Sequence, residues 1–106
     1  MAGAQVAWGL DVGTTSLKAI KLRRDGEGVH VEAFDVVEHD KFLTEPDIDR
    51  DEIIRHTLAK FLERNPIKRE IVYIGVPGST TFARFVKLPP VEPKKIPEIV
   101  RFEAIQ

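Results

Sequence analysis

The chain has 106 residues, with 17 acidic and 16 basic side chains, so its net charge at pH 7 is only −1. This balance argues against a nucleic-acid binder of the basic-patch kind, and the absence of cysteine excludes a disulfide framework or a thiolate metal site. No stretch approaches the roughly 20 apolar residues that span a bilayer. We therefore expect a small cytoplasmic domain with no membrane span and no nucleic-acid partner.

A first apolar strand is predicted over residues 6–12 and a second over residues 17–22. The turn between them consists of a glycine and three hydroxyl residues: Gly13, Thr14, Thr15 and Ser16. Gly13 can take a positive φ there, and several N–H and O–H donors of the turn can then converge on one anion. Such a turn suits a phosphate chain.

Two charged residues flank the turn. Asp11 interrupts an apolar strand, where a carboxylate is costly unless a cation pairs with it. It could hold a hydrated Mg²⁺, which prefers one or two carboxylates plus its own waters, while Lys18 offers a point charge for phosphate oxygens. The alternative is an ordinary hairpin, with Asp11 as a turn acceptor and Lys18 as a solvated charge. These residues alone leave both interpretations open.

A third strand and a helix follow the hairpin. Residues 29–37 alternate between apolar and polar positions, which predicts a three-stranded antiparallel meander. The helix begins with the capping pair Asp49 and Glu52 and ends before Pro66. His39 has no potential ligand at metal-binding spacing, and we interpret it, like the other histidines, as a surface residue.

The rest of the chain predicts a second unit. Residues 70–76 form a fourth strand, expected to pair parallel to the first and to lie inside the sheet because it is apolar on both sides. Residues 80–88 alternate like a fifth strand, and a proline-rich linker then leads to a helix that reaches Gln106 without a cap. We therefore expect a fragment of a longer protein, with one domain at 1–81 and the start of another at 82–106.

The pattern Asp11-x-Gly13-Thr14-Thr15-x-x-Lys18 resembles the first phosphate motif of the actin and sugar-kinase superfamily. The resemblance implies an α/β fold with a ribonuclease H-like, actin-like ATPase core, and it implies that Asp11 orders Mg²⁺ through water. The residues implied to bind ATP are Asp11, Gly13, Thr14, Thr15, Ser16 and Lys18. A carbohydrate kinase and a protein-binding module without nucleotide chemistry remain as alternatives.

Residues 84–104 resemble the start of the α+β subdomain that is inserted in the PilM-like proteins of type IV pilus assembly, which are related to FtsA. The resemblance implies a cytoplasmic ATP-binding scaffold for type IV pilus or type II secretion-like assembly. Such a scaffold lies at the inner membrane by binding the cytoplasmic N-terminal tail of a PilN-like protein, and it could also self-associate. The complete protein would be at most a slow ATPase. Residues 1–106 alone would be inactive and would bind ATP weakly.

Overall fold

The computed structural model describes residues 5–105, so the predicted end of the last helix at Gln106 lies outside the described part. Its strands and helices are β1 Gln5–Val12, β2 Ser16–Asp25, β3 Gly28–Glu38, α1 Arg50–Arg64, β4 Ile71–Gly75 and α2 Ile96–Ile105. Two short 3₁₀ helices, Gly78–Thr80 and Pro93–Lys95, lie between β4 and α2 in the chain. The fold is mixed α/β, as the sequence predicted.

The four strands form one mixed sheet with the order β3-β2-β1-β4. β1 pairs antiparallel with β2, and β2 pairs antiparallel with β3, which confirms the predicted meander. β4 returns after α1 and pairs parallel with β1, as expected for a strand that follows a helical crossover. The carboxyl ends of β1 and β4 therefore lie at the same edge of the sheet as the turn between β1 and β2.

One face of the sheet carries the hydrophobic core. Alternate residues of the strands point to this face and pack with the fully buried Phe61 of α1: Trp8, Leu10, Val12, Leu17, Ala19 and Val37. The Trp8 and Phe61 rings meet edge to face, with centroids 5.2 Å apart and an interplanar angle of 88°. Burial of a phenylalanine side chain of this kind stabilises the fold by about 2 to 3 kcal/mol.

The ends of α1 follow the predicted signals. Asp49 is the N-cap, and its Oδ1 accepts a hydrogen bond from the Glu52 N–H at 3.1 Å. Asn65 is the C-cap, where its N–H donates to the Phe61 carbonyl at 2.9 Å and its side chain donates to Asp35 of β3 at 2.7 Å. The bond between Asn65 and Asp35 ties the C-terminal end of the helix to the sheet.

The opposite face of the sheet is not covered by any described element. Its apolar side chains are exposed and come from several strands: Ile20, Val29, Val31, Phe34, Val36, Ile71 and Tyr73. Asp11 and Lys18 belong to the same face. Side chains of a strand alternate in direction, and each of the two lies between two buried core residues of its own strand. We refer to this surface as the open face.

Two predictions about the later strands are wrong for the described residues. β4 has β1 as its sole neighbour there, so it is an edge strand and not an inner one. Residues 81–89 adopt no regular secondary structure, and residues 81–87 are all exposed, so the fifth strand is not formed. A strand requires a neighbour to pair its N–H and C=O groups, and alternation alone does not supply one.

The irregular segment that follows β4 is bonded to α2. An Arg84 Nη donates to the Glu103 carbonyl at 3.0 Å and to its carboxylate at 3.2 Å, which ties the irregular segment to α2. The predicted helix after the proline-rich linker is confirmed, since Pro93–Lys95 forms a 3₁₀ turn that leads directly into α2 at Ile96. Within residues 5–105, no helix has the length and apolar character needed to cross a membrane.

Candidate functional site

Thr14 and Thr15 form the tip of the turn between β1 and β2, and both side chains are exposed. The turn is closed by a backbone hydrogen bond in which the Gly13 N–H donates to the Ser16 carbonyl at 3.0 Å. The hydroxyl residues of the predicted phosphate turn are therefore brought together at one corner of the sheet.

Glycine suits position 13 because the Ser16 backbone lies close to it, and not because of its φ angle. Among the described glycines, positive φ occurs at Gly28 and not at Gly13, so the conformation considered from the sequence is not used. A Cβ added at Gly13 would instead lie 3.1 Å from the Ser16 carbonyl oxygen, closer than side-chain carbons normally approach. The requirement for glycine comes from this contact.

The turn rests on residues 39–43, which we call the supporting segment. The Thr15 carbonyl accepts a hydrogen bond from the His39 N–H at 3.0 Å, and the Thr14 carbonyl accepts one from the Leu43 N–H at 2.8 Å. The Gly13 carbonyl lies 2.9 Å from the His39 Nε2. Three consecutive carbonyls of the turn are thus oriented toward the supporting segment.

The orientation of these carbonyls determines where the backbone donors of the turn point. A trans peptide holds its carbonyl and the N–H of the next residue on opposite sides, and the described residues contain no cis peptide. The N–H groups of Thr14 and Thr15 therefore face away from the supporting segment. Successive N–H groups on one side of a turn form the kind of concavity that binds anions.

Lys18 adds a positive charge next to the turn. A Cβ added at Gly13 would lie 3.9 Å from the Lys18 Nζ, so the ammonium group is next to the turn. The Nζ donates to the Ser16 Oγ at 3.2 Å, while the Lys18 side chain as a whole remains exposed. Ser16 itself is buried, and its hydroxyl positions the lysine instead of facing solvent.

Asp11 lies at the carboxyl end of β1, directly opposite Lys18 on β2 and beside Gly75 on β4. A Cβ added at Gly75 would lie 3.9 Å from the Asp11 Oδ1, an ordinary van der Waals distance, so Gly75 is directly beside the carboxylate. Asp11 is exposed because it belongs to the open face. The desolvation cost expected for a carboxylate in an apolar strand therefore does not arise in this structure.

A groove of about 520 Å³ runs from this corner along the open face. Asp11 and Lys18 line its polar end, and its remaining walls include Ile20, Phe34 and Tyr73. Phosphate oxygens require hydrogen-bond donors and positive charge, which the apolar walls do not offer. A phosphate chain would therefore bind at the polar corner and not along the groove.

The predicted magnesium site can be compared with the same geometry. The part of the chain that the structure describes has no group of three or more histidine, aspartate or glutamate side chains that could hold a metal ion. Asp11 is thus a single carboxylate. That arrangement fits Mg²⁺ bound jointly by one carboxylate, substrate phosphates and water, and it does not fit an all-protein metal cage.

The interpretation of His39 as a surface residue is wrong, and nothing in the sequence indicated its contacts. It is 7% exposed, and its two ring nitrogens contact Thr57 of α1 and Gly13 of the turn. The following residue, Asp40, accepts a hydrogen bond from the Lys60 Nζ at 3.0 Å and another from His56. Those hydrogen bonds hold the pKa of Asp40 below its ordinary value of 3.8. Both residues connect the supporting segment to α1.

Comparison of the chain with protein-family models, with curated proteins and with solved structures gave no significant match.

Proposed function

We propose that the turn from Gly13 to Ser16 binds the phosphate chain of MgATP. The observation that carries the proposal is the orientation of three consecutive carbonyls toward the supporting segment, which directs the Thr14 and Thr15 N–H groups to the other side. The Lys18 ammonium lies next to Gly13 in the same turn and supplies a compensating charge. Donors that are already oriented bind an anion without the cost of ordering them.

Asp11 fits the role of the magnesium-ordering carboxylate in this proposal. It is exposed at the same corner of the sheet, where solvent and a hydrated ion can reach it. Bound Mg²⁺ would neutralise phosphate charge and orient the phosphate chain. The chain's own contribution is to hold the phosphates with backbone donors and Lys18.

The described residues supply one side of a nucleotide site, open to solvent at Thr14, Thr15 and Lys18. Binding sites normally enclose most of a ligand's surface, so an open corner of this kind gives low affinity. We therefore expect MgATP to bind the 106-residue chain in the millimolar range.

Titration of the ¹⁵N-labelled chain, followed by two-dimensional NMR, tests the proposal. MgATP and magnesium pyrophosphate should both shift the amide signals of residues 13–18, whereas adenosine should leave those signals unchanged. Amide signals of unrelated surface lysines such as Lys68 could shift as much as those of residues 13–18. That result would indicate nonspecific anion binding and would contradict the proposal. Sub-millimolar affinity would contradict the expectation of an open, one-sided site.

We further propose that this turn belongs to an actin-like ATP-binding scaffold of the PilM type, active in type IV pilus assembly. The support is the resemblance of residues 84–104 to the inserted subdomain of that family, together with the antiparallel meander, the helical crossover and the parallel β4. In this proposal, bound ATP changes the groove that holds the N-terminal tail of a PilN-like membrane protein.

The pilus proposal is tested with the complete native protein and a synthetic peptide of the partner's N-terminal tail. Coupling between ATP and peptide of about 1 to 3 kcal/mol would change the peptide affinity by about 5- to 150-fold. Lys18→Ala should remove that difference. A peptide affinity that is the same with and without MgATP would contradict the coupling, and phosphorylation of sugars by the complete protein would favour a carbohydrate kinase instead.

A further inference from the structure

His39 connects the turn to α1 through the two nitrogens of one buried ring. Its Nε2 lies 2.9 Å from the Gly13 carbonyl oxygen, and its Nδ1 lies 2.8 Å from the Thr57 Oγ1. The side chain is 7% exposed and Thr57 is 2% exposed, so solvent does not compete strongly for these bonds. Neither residue takes part in the phosphate contacts assigned above.

The chemistry of the partners determines which nitrogen carries a hydrogen. A carbonyl oxygen only accepts, so the hydrogen bond to Gly13 requires a hydrogen on the His39 Nε2. The Thr57 hydroxyl lies 2.9 Å from the Ile53 carbonyl as well as 2.8 Å from the Nδ1. It can donate to the Nδ1, or it can accept from it while donating to Ile53. The Nε2–H contact with Gly13 is retained in either arrangement.

The bond to Gly13 matters because it orients one peptide group. The carbonyl of Gly13 and the N–H of Thr14 belong to the same planar unit, so fixing the first fixes the second. Rotation of this peptide would turn the Gly13 carbonyl toward the bound anion, where it would repel phosphate oxygens. The two neighbouring carbonyls, of Thr14 and Thr15, are held by backbone N–H groups of the supporting segment, which a side-chain substitution leaves in place.

We propose that His39, supported by Thr57, is a positioning residue that holds the Gly13–Thr14 peptide in the orientation that presents the Thr14 N–H to phosphate. The inference rests on the proposed function, because it explains how the same turn is prepared for its ligand. His39 itself does not touch the phosphate.

A matched pair of substitutions removes the two hydrogen bonds of the His39 ring one at a time. Glutamine extends its side-chain N–H₂ to about the position of the His39 Nε2, whereas asparagine reaches only the position of the Nδ1. His39→Gln should keep the bond to Gly13, and His39→Asn should keep the bond to Thr57. Loss of one buried hydrogen bond that orders a donor is expected to weaken binding by about 3- to 10-fold.

The binding measurement is the NMR titration of the 106-residue chain with magnesium pyrophosphate, with thermal unfolding measured for each variant. We expect His39→Gln to stay within about twofold of the wild-type affinity and His39→Asn to lose about 3- to 10-fold. Thr57→Val removes only the contact with the Nδ1, so it should weaken binding less than His39→Asn does, and Thr57→Ser, which keeps the hydroxyl, should leave the affinity unchanged. Affinities that follow only the thermal stability of the variants would overturn the proposal.

A measurement without ligand distinguishes failure of this inference from failure of the proposed function. Long-range ¹H–¹⁵N correlation on the wild-type chain should show a hydrogen on the His39 Nε2, and ¹⁵N relaxation of the Thr14 amide should show greater motion in His39→Asn than in His39→Gln. An unprotonated Nε2, or equal motion in both variants, overturns the positioning role. Normal results here with no response to pyrophosphate would contradict phosphate binding only.

Discussion

Asp11 and Lys18 are directly paired across β1 and β2, yet the Lys18 Nζ donates to the Ser16 Oγ at 3.2 Å and not to Asp11. The two opposite charges are therefore held side by side without neutralising each other. An exposed ion pair would contribute little stability in any case. The arrangement leaves the carboxylate free for a cation and the ammonium group free for an anion, and MgATP carries both.

Replacement of Lys18 by methionine should weaken binding of magnesium pyrophosphate about tenfold. A hydrogen bond to a charged group contributes about 1.5 kcal/mol or more, and every 1.4 kcal/mol changes an affinity tenfold. The NMR titration of residues 13–18 measures the effect. Lys68→Met is the control, because it removes the same charge just before β4, at the opposite end of the sheet. An equal loss of affinity in both variants would show that net charge alone governs binding.

Replacement of Gly13 by alanine should lower the free energy of unfolding by about 1 to 2 kcal/mol, as expected for a steric overlap that the backbone must relieve. The added Cβ would lie 3.1 Å from the Ser16 carbonyl oxygen, which the turn hydrogen bond holds in place. Gly26→Ala is the matched control, since a Cβ there meets nothing within 4 Å. It should change the free energy by no more than about 0.5 kcal/mol in urea denaturation. Equal effects would contradict the role assigned to the close contact.

Local patterns were sufficient to predict most of the fold. The apolar runs of β1 and β2, the alternation in β3, the cap at Asp49 and the end of α1 at Asn65 are each encoded within a few neighbouring residues. The parallel pairing of β4 followed from the helical crossover. Apolar residues on both sides of β4 indicated that the strand avoids water, but they did not identify its neighbours, and its inner position was predicted wrongly.

The residues of the candidate site were predicted from the sequence, but the contacts that hold them in place were not. The sequence indicated Asp11, the hydroxyl turn and Lys18, because these residues are close together in the chain. It did not indicate His39, which is 26 residues from Gly13 and reaches it only because β3 returns beside the turn. Contacts of this kind depend on tertiary structure, and a single histidine without a pattern carries no signal for them.

The two faces of the sheet should respond differently to loss of a phenylalanine. Phe61 is fully buried against the covered face, and Phe61→Ala should lower the free energy of unfolding by about 3 to 5 kcal/mol. Phe34 is 75% exposed on the open face, and Phe34→Thr should change the free energy of unfolding by no more than about 0.5 kcal/mol. Urea denaturation of the 106-residue chain measures both. A large loss in Phe34→Thr would mean that the open face is covered in solution.

Asp40 of the supporting segment should make the free energy of unfolding depend on pH in the acid range. Its pKa is lowered from 3.8 chiefly by the hydrogen bond from Lys60, with His56 as the second cause, so the unfolded chain takes up this proton at a higher pH than the folded chain. The stabilising contribution is therefore complete above pH 3.8 and is lost as the pH falls through the lower, folded value. Asp40→Asn should be less stable at neutral pH and should lose less stability on acidification.

Urea denaturation at a series of pH values between about 6 and about 2.5 measures this difference. Asp25 and Glu70 also have lowered pKa values, held down chiefly by backbone N–H groups, so the slope should decrease in Asp40→Asn without disappearing. Lys60→Met is the reciprocal variant, since it removes the largest cause of the shift while Asp40 remains. The double variant should then lose little more than Asp40→Asn alone, because that substitution already removes the contact with Lys60. Stability curves parallel to that of the wild type in both single variants would show that Asp40 does not anchor the supporting segment to α1.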